Sequence, residues 1–421
     1  MAVATHLAQH LTADLPGWVA LFRELIRLPS PYEEEHPILA HVEERIAALG
    51  LKAVRVPFES ERLSRLPGHQ LPISTKAGRH NLVVRLQGQG GGRSLVLGSH
   101  LDVAPVGDTA AWTHPPYSAH IDPETNVIYG RGAMDDKAGV VICLALLELL
   151  VRAPFRLAGD VVLHFVLEDE TTGNGSLLCL DAGHGGDAAI LLDGTRGDRG
   201  INAHAGNLRF GLSLQGKPAS VSVSHMGLNA VEILARMLLH MKAAIHDLNV
   251  NRQPPWTMFP SPYQFIVHAL HGEGESLTVP EHAHTTCHVT FPPPDDLVSM
   301  RRRLEALASG FAQAEGLPYP PCFQWAGHFA TEPVMSDSAA LESTMLASAQ
   351  RLGWPPIAFG PSTGTSDMRH FHAAGIPTVL YGPGRGYNPH RPDEHYFLDD
   401  LPRMLAFFLD LTVSWCGEAD S

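Results

Sequence analysis

Histidine and carboxylate side chains follow several apolar segments of this chain at the point where each segment ends. Each group alone is weak evidence, because an acidic loop or a helix N-cap has a similar composition. Together they offer the nitrogen and oxygen ligands that divalent metal ions prefer. The candidates are His100 and Asp102, Asp135 and Asp136, Glu168, Asp169 and Glu170, Asp193, and His390. If these side chains lie close together in the folded protein, they can form a metal site, and the sequence therefore predicts one.

Two imidazoles and three carboxylates are enough to hold two zinc-like ions, with one carboxylate bridging them. Such ions, about 3.5–4 Å apart, lower the pKa of a shared water and polarise the carbonyl under attack. A carboxylate outside the ligand set must then take the water's proton and pass it to the leaving nitrogen. Asp102 stands two residues after His100, and in a strand both side chains face the same way, so we expect Asp102 to orient the imidazole. The predicted chemistry is hydrolysis of an amide bond.

The elements that must position these residues are predicted by apolar runs that alternate with helical segments. Strand-like runs lie at 82–86, 94–99, 160–167 and 188–193, and the segment 138–151 is apolar all round, as in a buried helix. This alternation predicts an α/β fold in which a mostly parallel sheet lies between helices. Ligands of such sheets bind beyond the carboxyl ends of the strands, so the candidate side chains are expected to converge at one edge.

A change of pattern after residue 204 predicts a second domain. Residues 205–332 have the order β-α-β-β-α-β of a ferredoxin-like domain, and the earlier helix–strand alternation returns afterwards. We therefore predict a discontinuous catalytic domain over 1–204 and 333–421, with the α+β domain 205–332 inserted into it. The glycine-rich stretch 88–92 is predicted to be a hairpin loop.

The composition excludes several classes of partner. A net charge of −14 argues against nucleic acid or an anionic membrane, because both favour a basic protein face. No apolar run reaches membrane-spanning length, and the first residues lack the basic and apolar segments of a secretory signal. The five cysteines are odd in number and widely spaced, as in a reduced chain. These features predict a cytoplasmic protein that binds neither nucleic acid nor membrane.

Five motifs in a fixed order carry a family resemblance. They read GSHLDVAP at His100, GRGAMDDKAG at Asp135, VLEDETTGNGS at Glu170, LLDG at Asp193 and PHRPDEH at His390. In these motifs the chain resembles the aminoacylase, carboxypeptidase G, acetylornithine deacetylase and succinyl-diaminopimelate desuccinylase family of dinuclear zinc metallopeptidases. The resemblance covers nearly the whole chain, including the inserted domain. It is specific for the family and not for a substrate.

The resemblance implies the metal ligands. It makes His100, Asp135, Glu170, Asp193 and His390 the ligands of two divalent ions, with Asp135 as the bridging ligand. The expected ions are zinc, with cobalt or manganese as alternatives. The activity implied is that of a metallohydrolase acting on amide bonds.

The resemblance also implies the surroundings of the ligands. Asp102 is the orienting acid, and a cis peptide bond is expected after Asp135. The segment GTSDMRHF resembles the substrate-side loop of the family and offers Gly364, Asp367 and Arg369 for substrate binding. The inserted domain is expected to be a lid and a dimer interface, so that a homodimer acts on a small N-acyl amino acid or peptide.

Two positions depart from the family pattern. The motif usually holds two consecutive glutamates, a base and a ligand, and these positions are Asp169 and Glu170 here. Aspartate is shorter than glutamate, and a misplacement of about 1 Å can cost roughly 100-fold in rate. The family histidine that supports the oxyanion is replaced by Ser220, and the nearby His225 is a candidate substitute.

These departures leave more than one function open. The first is a metal-dependent amidohydrolase in which Asp169 shuttles protons. The alternative is a catalytically weakened homologue that binds metal and ligand without efficient hydrolysis, and a scaffold role is the third. Glu168 is a further candidate base, but a strand neighbour of Asp169 is expected to point to the opposite side. The persistence of all five ligand types favours the hydrolase.

Overall fold

Buried apolar strands assemble into a central sheet in the structure, which is a computed structural model. The chain divides into two units, and each has its own hydrophobic core. Unit 1 contains the residues up to Asn202, Ser336–Gly360 and those from Ser366 onward, and unit 2 contains Ala203–Met335 and Pro361–Thr365. The residues that the structure describes are 2–71, 74, 76–193, 195–386 and 388–419.

Helices and strands follow one another closely along the chain. The helices are α1 Ala2–Arg27, α2 His36–Ala48, α3 Ser60–Leu63, α4 Lys137–Val151, α5 Asn174–Asp181, α6 Ala230–Asp247, α7 Leu297–Ala314, α8 Ala339–Arg351, α9 Met368–Ala373 and α10 Asp400–Cys416. The strands are β1 Val54–Pro57, β2 His80–Leu86, β3 Leu95–His100, β4 His120–Asp122, β5 Val127–Tyr129, β6 Val161–Val166, β7 Ala188–Leu191, β8 Thr195–Arg196, β9 Arg199–His204, β10 Gly206–Gln215, β11 Gln264–Glu273, β12 His282–Phe291, β13 Cys322–Thr331, β14 Val334–Met335, β15 Ala358–Ser362, β16 Thr378–Leu380, β17 Pro383–Gly384 and β18 His395–Phe397.

The sheet of unit 1 is parallel in its middle and antiparallel at its sides. Its order is β1-β2-β6-β3-β7-β16-β9, and β6, β3, β7 and β16 run parallel to one another. The strands β1, β2 and β9 join it antiparallel. Every residue of β3, β6 and β7 is buried, as expected of strands covered on both faces. The predicted α/β fold with a mostly parallel sheet is confirmed.

The stretch 88–92 is not a hairpin loop, so that prediction is wrong. The strand β6 lies between β2 and β3 and pairs with both, antiparallel to β2 and parallel to β3. The stretch passes the start of β6 instead, where the Gln89 N–H donates to the carbonyl oxygen of Leu157 and the Gly90 N–H to that of Ala158. A glycine-rich turn pattern does not show whether the two strands that flank it in the sequence are paired or are separated by a later strand.

Helix α4 is central to the helical layer because its residues are apolar on almost every side. It packs against α1 and α10, and its buried side chains include Val140, Leu144 and Leu147. The Asp136 carboxylate caps the helix by accepting the Gly139 N–H at 3.2 Å. The peptide bond between Asp135 and Asp136 is cis, as the resemblance implies. The start of α4 thus fixes the candidate ligand directly before its cap.

Unit 2 contains a four-stranded antiparallel sheet with two helices packed against it. The chain order is β10-α6-β11-β12-α7-β13, and the sheet order is β11-β12-β10-β13. Both orders are those of the predicted ferredoxin-like domain. Unit 2 also takes Pro361–Thr365, which the prediction placed in the catalytic domain, and Asn207 Nδ2 donates to Thr365 Oγ1 at 3.2 Å. The role of unit 2 as a lid and dimer interface stays a prediction.

Two features of the described residues bear on the environment of the chain. None of the helices among them combines the length and the apolar composition that crossing a membrane requires. All five cysteines are free, and Cys322 is the exposed one. Free thiols agree with the reduced chain that the cysteine spacing predicts.

Candidate metal centre

Three neighbouring strands carry the candidate residues to one edge of the unit 1 sheet. The strand β3 ends at His100, which pairs with Val166, the last residue of β6. The turn 168–170 follows β6, and Asp193 follows β7, which ends at Leu191. Because these strands are parallel, their carboxyl ends lie at the same edge, where α/β sheets bind their ligands.

One carboxylate links the two candidate imidazoles. Nε2 of His100 lies 2.9 Å from Oδ1 of Asp135, and Nε2 of His390 lies 3.1 Å from Oδ2 of the same side chain. His100 and Asp135 are buried, whereas the side chain of His390 is 54% exposed. A carboxylate between two nitrogen donors has the placement that a bridging ligand needs.

The side chains at this edge form two groups of metal-type donors. Glu170 Oε2 lies 2.9 Å from Nε2 of His390, and Glu170 Oε1 accepts the Ala104 N–H at 3.0 Å. Within each group the donor atoms lie within 4.8 Å of one another. The first group is His100, Asp169 and Asp193, and the second is Asp135, Glu170 and His390. Residues far apart in the sequence thus meet with donors for two ions.

Asp169 lies among the potential ligands, although the sequence predicts it as the base. Its Oδ2 is 4.0 Å from Nε2 of His100, the same distance as Oδ1 of Asp193. Both carboxylates therefore flank the same imidazole. One of them can complete the ligands of His100, and the other then remains for proton transfer.

The main-chain carbonyl of Asp102 is the hydrogen-bond acceptor for His100, with the Asp102 carboxylate further away, and the orienting role of that carboxylate stays a prediction. Nδ1 of His100 donates to the carbonyl oxygen of Asp102 at 2.9 Å, whereas Oδ1 of Asp102 is 3.7 Å from Nδ1. The carboxylate accepts the N–H groups of Asp169 and Glu170 at 3.4 and 3.2 Å. The strand β3 ends at His100, so strand alternation does not reach residue 102. Asp102 positions both the imidazole and the turn that carries the two acids.

Glu168 anchors that turn from within. Its carbonyl oxygen accepts the N–H groups of residues 171–173, and its φ is +69°, which is not a strand conformation. Its buried carboxylate pairs with Arg79. Glu168 is therefore engaged in the interior, and Asp169 is the better candidate for the base. The positive φ, and not the alternation of a strand, separates the two side chains.

Glu394 is a functional candidate that the sequence reasoning missed. Its Oε1 accepts the N–H groups of Met134 and Asp135 at 3.0 and 3.1 Å, and its Oε2 lies 2.5 Å from Nη1 of Arg131. Glu394 is fully buried. It connects the segment that carries His390 to the segment that carries the bridging candidate. The signal in the sequence is the position of this glutamate within the motif PHRPDEH.

The electrostatics of the cluster fit divalent cations. Burial, together with the charges of Asp193 and Glu170, raises the pKa of Asp169 to about 8. Burial also raises the pKa of Asp193 well above its ordinary value. Hydrogen bonds to Asp135 and Glu170 raise the pKa of His390 to about 10. Buried carboxylates at such distances repel one another, and divalent cations remove that repulsion, so the residues present fit two metal ions.

The predicted substrate-side loop is divided between the units. Gly364 belongs to unit 2, where its N–H donates to Ser362 Oγ at 3.0 Å. Asp367 is buried in unit 1, 3.5 Å from Arg369 Nη2. The Arg369 guanidinium donates to the carbonyl oxygens of Thr172 at 2.7 Å and Ser366 at 2.8 Å. These contacts favour a positioning role for Arg369 over the predicted contact with substrate.

Ser220 and His225 lie together in an exposed part of unit 2. Ser220 precedes the helical turn Val221–Met226, which contains His225, and both residues are exposed. Ser220 Oγ lies 3.0 Å from Ser222 Oγ. Their proposed support of an oxyanion stays a prediction.

A family model matches the part of the chain that contains the whole cluster. The description of the model is peptidase family M20/M25/M40, and the match covers residues 96–413. The chain belongs to this family. As an M20 family member it is a hydrolase that acts on C–N amide bonds. The matched region begins before His100 and ends after His390, so it includes both groups of donors.

Curated relatives of this M20 family member match over most of its length. The N-formyl-4-amino-5-aminomethyl-2-methylpyrimidine deformylase of Bacillus subtilis is 24% identical, over 81% of this chain and 84% of its own. The succinyl-diaminopimelate desuccinylase of a Methylobacterium species is 28% identical, over 93% of this chain and 94% of its own.

Solved structures of similar proteins share the fold. A tripeptidase from Staphylococcus aureus has a TM-score of 0.75 and 18% identity, with 94% of this chain and 97% of that chain covered. A dinuclear metal-binding peptidase of the M20 family from Bacillus subtilis has a TM-score of 0.68 and 15% identity, with 96% and 98% covered. These likenesses show that this M20 family member has the fold of known metallopeptidases.

Proposed function

We propose that this M20 family member cleaves the amide bond of a small N-acyl amino acid or peptide with the help of two divalent metal ions. One observation carries the proposal. His100, Asp135 and His390 lie in contact with one another through a single carboxylate, and Glu170 and Asp193 lie beside them. Nitrogen and oxygen donors gathered in this way have metal binding as their simplest chemical use.

Each donor has a place in the proposed site. Asp135 would be the ligand that the two ions share, His100 and Asp193 would hold the first ion, and Glu170 and His390 would hold the second. The ions are zinc, with cobalt or manganese as alternatives. When bound, such a pair supplies an activated water and a Lewis acid for the substrate carbonyl.

Asp169 is the proposed base of the reaction. It takes the proton of the attacking water and delivers it to the leaving nitrogen, so that the amine departs neutral. Its carboxylate lies at the ligand cluster, 4.0 Å from Nε2 of His100, and its N–H is held by the Asp102 carboxylate. Asp169 is shorter than the glutamate usual in the family. It can transfer the proton efficiently only if the turn 168–170 brings its carboxylate close enough to the reacting atoms.

The substrate class is supported by the relatives. Two of them are named for removing a formyl or a succinyl group, and a structural neighbour is named a tripeptidase. We assign Ser220 or His225 to oxyanion support and Gly364 to substrate contact. Asp367 is also assigned to substrate binding.

A homodimer through unit 2 is proposed as the working form. The strand β11 is the edge of the unit 2 sheet, and it exposes Ile266, Val267 and Leu270. An exposed apolar edge strand is a template for pairing with a second copy. The free thiols support the cytoplasm as the compartment.

Metal-dependent turnover is the test of the proposal. The chelated protein is assayed with N-formyl, N-acetyl and N-succinyl amino acids and with dipeptides and tripeptides, before and after zinc, cobalt or manganese is added. We expect turnover of at least one substrate class to appear with metal and to disappear with a chelator. Metal-bound protein that turns over none of these compounds would count against the proposal.

A second candidate is a weakened homologue that binds metal and ligand but hydrolyses slowly. It is favoured by the joint presence of Asp169 for glutamate and Ser220 for histidine. The variant Asp169→Glu separates the two: a gain of about 10-fold or more in kcat indicates a weakened site, and a loss indicates an enzyme adapted to aspartate. Asp169→Asn is the control, since it removes the proton acceptor at unchanged length. Metal content, measured in parallel, must stay the same for either comparison to count.

A further inference from the structure

Unit 1 contains a second cavity that the proposed reaction does not use. Its volume is about 490 Å³, which is in the range that holds a small organic molecule. It is lined by the turn at Gly197 and Asp198, by Trp354, by the loop 384–386 and by the first turns of α10. Three of the lining residues are glycines: Gly197, Gly384 and Gly386.

Two guanidinium groups at this cavity lie near one carboxylate, and only one of them is hydrogen-bonded to it. Arg385 Nε lies 2.8 Å from Oδ1 of Asp400, and the Arg385 N–H donates to Oδ2 at 2.6 Å. Arg403 Nη1 is 4.0 Å from the same Oδ1, beyond hydrogen-bond distance. The side chains of both arginines are about half exposed, whereas Asp400 is buried. One carboxylate cannot use the donors of two guanidinium groups, so donors remain for an anion.

The remaining lining has one acidic and one apolar part. Asp198 is exposed and is one of the residues that line the cavity. Trp354 is stacked on Phe407 with ring centroids 5.4 Å apart, and Arg403 lies over the Trp354 ring at 5.0 Å. These contacts fix the indole and the guanidinium as one wall, beside Met404. The cavity therefore offers a cation, an anion and an apolar surface within a small volume.

We propose that this cavity binds a free amino acid with an apolar side chain. The carboxylate of the ligand pairs with Arg403, its ammonium group pairs with Asp198, and its side chain packs against Trp354 and Met404. A simple anion can pair only with Arg403, and a simple amine can pair only with Asp198. A zwitterion satisfies both charges.

The loops around this cavity continue into the metal centre. Asp193 shortly precedes Gly197, and His390 shortly follows the loop 384–386. The two loops pair with each other through β8 and β17, where Pro383 partners Thr195. A molecule bound in the cavity therefore contacts the two segments that carry Asp193 and His390, one candidate metal-binding residue for each ion. Because hydrolysis of N-acyl amino acids releases such a ligand, the cavity would sense product, and this last step rests on the proposed function.

Equilibrium binding of three related probes tests the proposal. L-phenylalanine, 3-phenylpropionate and 2-phenylethylamine are titrated into the metal-loaded protein by calorimetry. We expect L-phenylalanine to bind more tightly than either probe that lacks one charge. Arg403→Ala is expected to weaken L-phenylalanine by roughly 10- to 100-fold, the range for a lost hydrogen bond to a charged group. Asp198→Asn is expected to weaken L-phenylalanine and to leave 3-phenylpropionate unchanged.

Arg156→Ala is the matched control, because Arg156 is an exposed arginine that lines a different cavity of unit 1. It should leave all three titrations unchanged. L-phenylalanine binding that is absent, or that survives Arg403→Ala, overturns the proposal, and in the second case the amino acid binds elsewhere, such as at the metal centre. No turnover is measured, so a failure here and a failure of the hydrolase assay are separate results.

Discussion

At the scale of single residues, Asp135 is a side chain that contacts a histidine of each group of donors. Its two carboxylate oxygens each contact a different imidazole. Asp135→Asn keeps the shape but removes the charge and one oxygen acceptor, so it cannot bridge two cations. We expect the bound metal, measured by inductively coupled plasma mass spectrometry, to fall, and kcat/KM to fall by about 100-fold or more.

The matched control for this change is Asp187→Asn. Asp187 lies directly before β7, where its carboxylate accepts from Ser94 at 2.7 Å, at the end of the strands away from the cluster. It should keep the metal content and the activity of the parent protein. Equal metal content in Asp135→Asn and the parent would contradict the bridging role.

Glu394 gives a second prediction at this scale. In Glu394→Gln the buried Arg131 loses its ionic partner, and breaking a buried pair costs roughly 3–5 kcal/mol of unfolding free energy. Urea denaturation measures that loss. Adding Arg131→Met removes the unpaired cation and is expected to restore part of the stability. If the double variant is no more stable than Glu394→Gln, the ion pair is not the cause of the loss.

The sequence reveals the donor residues better than the residues that hold them. His100, Asp135, Glu170, Asp193 and His390 are recognisable because metal chemistry restricts which side chains can serve. The structure brings these five together. The contacts of Glu394 and the main-chain contact of Asp102 are not predicted by the sequence. They depend on which main-chain N–H and carbonyl groups meet in space, and side-chain type does not record that.

At the scale of elements, the strand β11 carries the prediction about assembly. Leu270→Lys places a charge on the exposed apolar edge of the unit 2 sheet, where it opposes pairing with a second copy. We expect the dimer dissociation constant to rise by about 100-fold or more, so that light scattering at micromolar concentration reports a monomer.

The control for the edge strand is Val54→Lys. Val54 is also an exposed apolar residue on an edge strand, but it lies on β1 of the unit 1 sheet. It should leave the oligomeric state unchanged. A parent protein that is already monomeric, or a Leu270→Lys variant that remains a dimer, would contradict a dimer interface at β11.

Long elements are predicted well and short ones poorly. The apolar segment 138–151 becomes α4, and the runs 94–99 and 160–167 become β3 and β6, because length and burial dominate their patterns. The three-stranded sheet β18-β5-β4 was not foreseen. Its strands have three residues each, too few to show a period, and β18 comes from a distant part of the chain.

At the scale of the whole molecule, one buried histidine predicts how stability changes with pH. His164 of β6 is fully buried, and Nε2 of its ring donates to the carbonyl oxygen of His184 at 2.8 Å. Burial lowers the pKa of His164 from 6.5 to about 4. Between these two values the unfolded chain binds a proton that the folded chain does not. Stability is therefore fully present above pH 6.5 and falls as the pH drops towards 4, by about 3 kcal/mol.

Urea unfolding of unit 1 at several pH values measures this dependence. His164→Gln keeps a donor for the His184 carbonyl but cannot titrate. The free energy of unfolding of this variant should therefore fall much less between pH 6.5 and 4. His246→Gln, an exposed position on α6, is the control and should behave like the parent. An identical pH dependence in the parent and His164→Gln would show that other groups govern acid unfolding.

The strands of the unit 1 sheet are not synthesised in the order in which they lie side by side. The strand β16 lies between β7 and β9, yet the ribosome makes it after the whole of β10–β13. The inserted ferredoxin-like unit can fold on the ribosome while the sheet around it still lacks an inner strand. His390 emerges later than β16, so a nascent chain cannot assemble the second group of donors until the segment after β16 has been made.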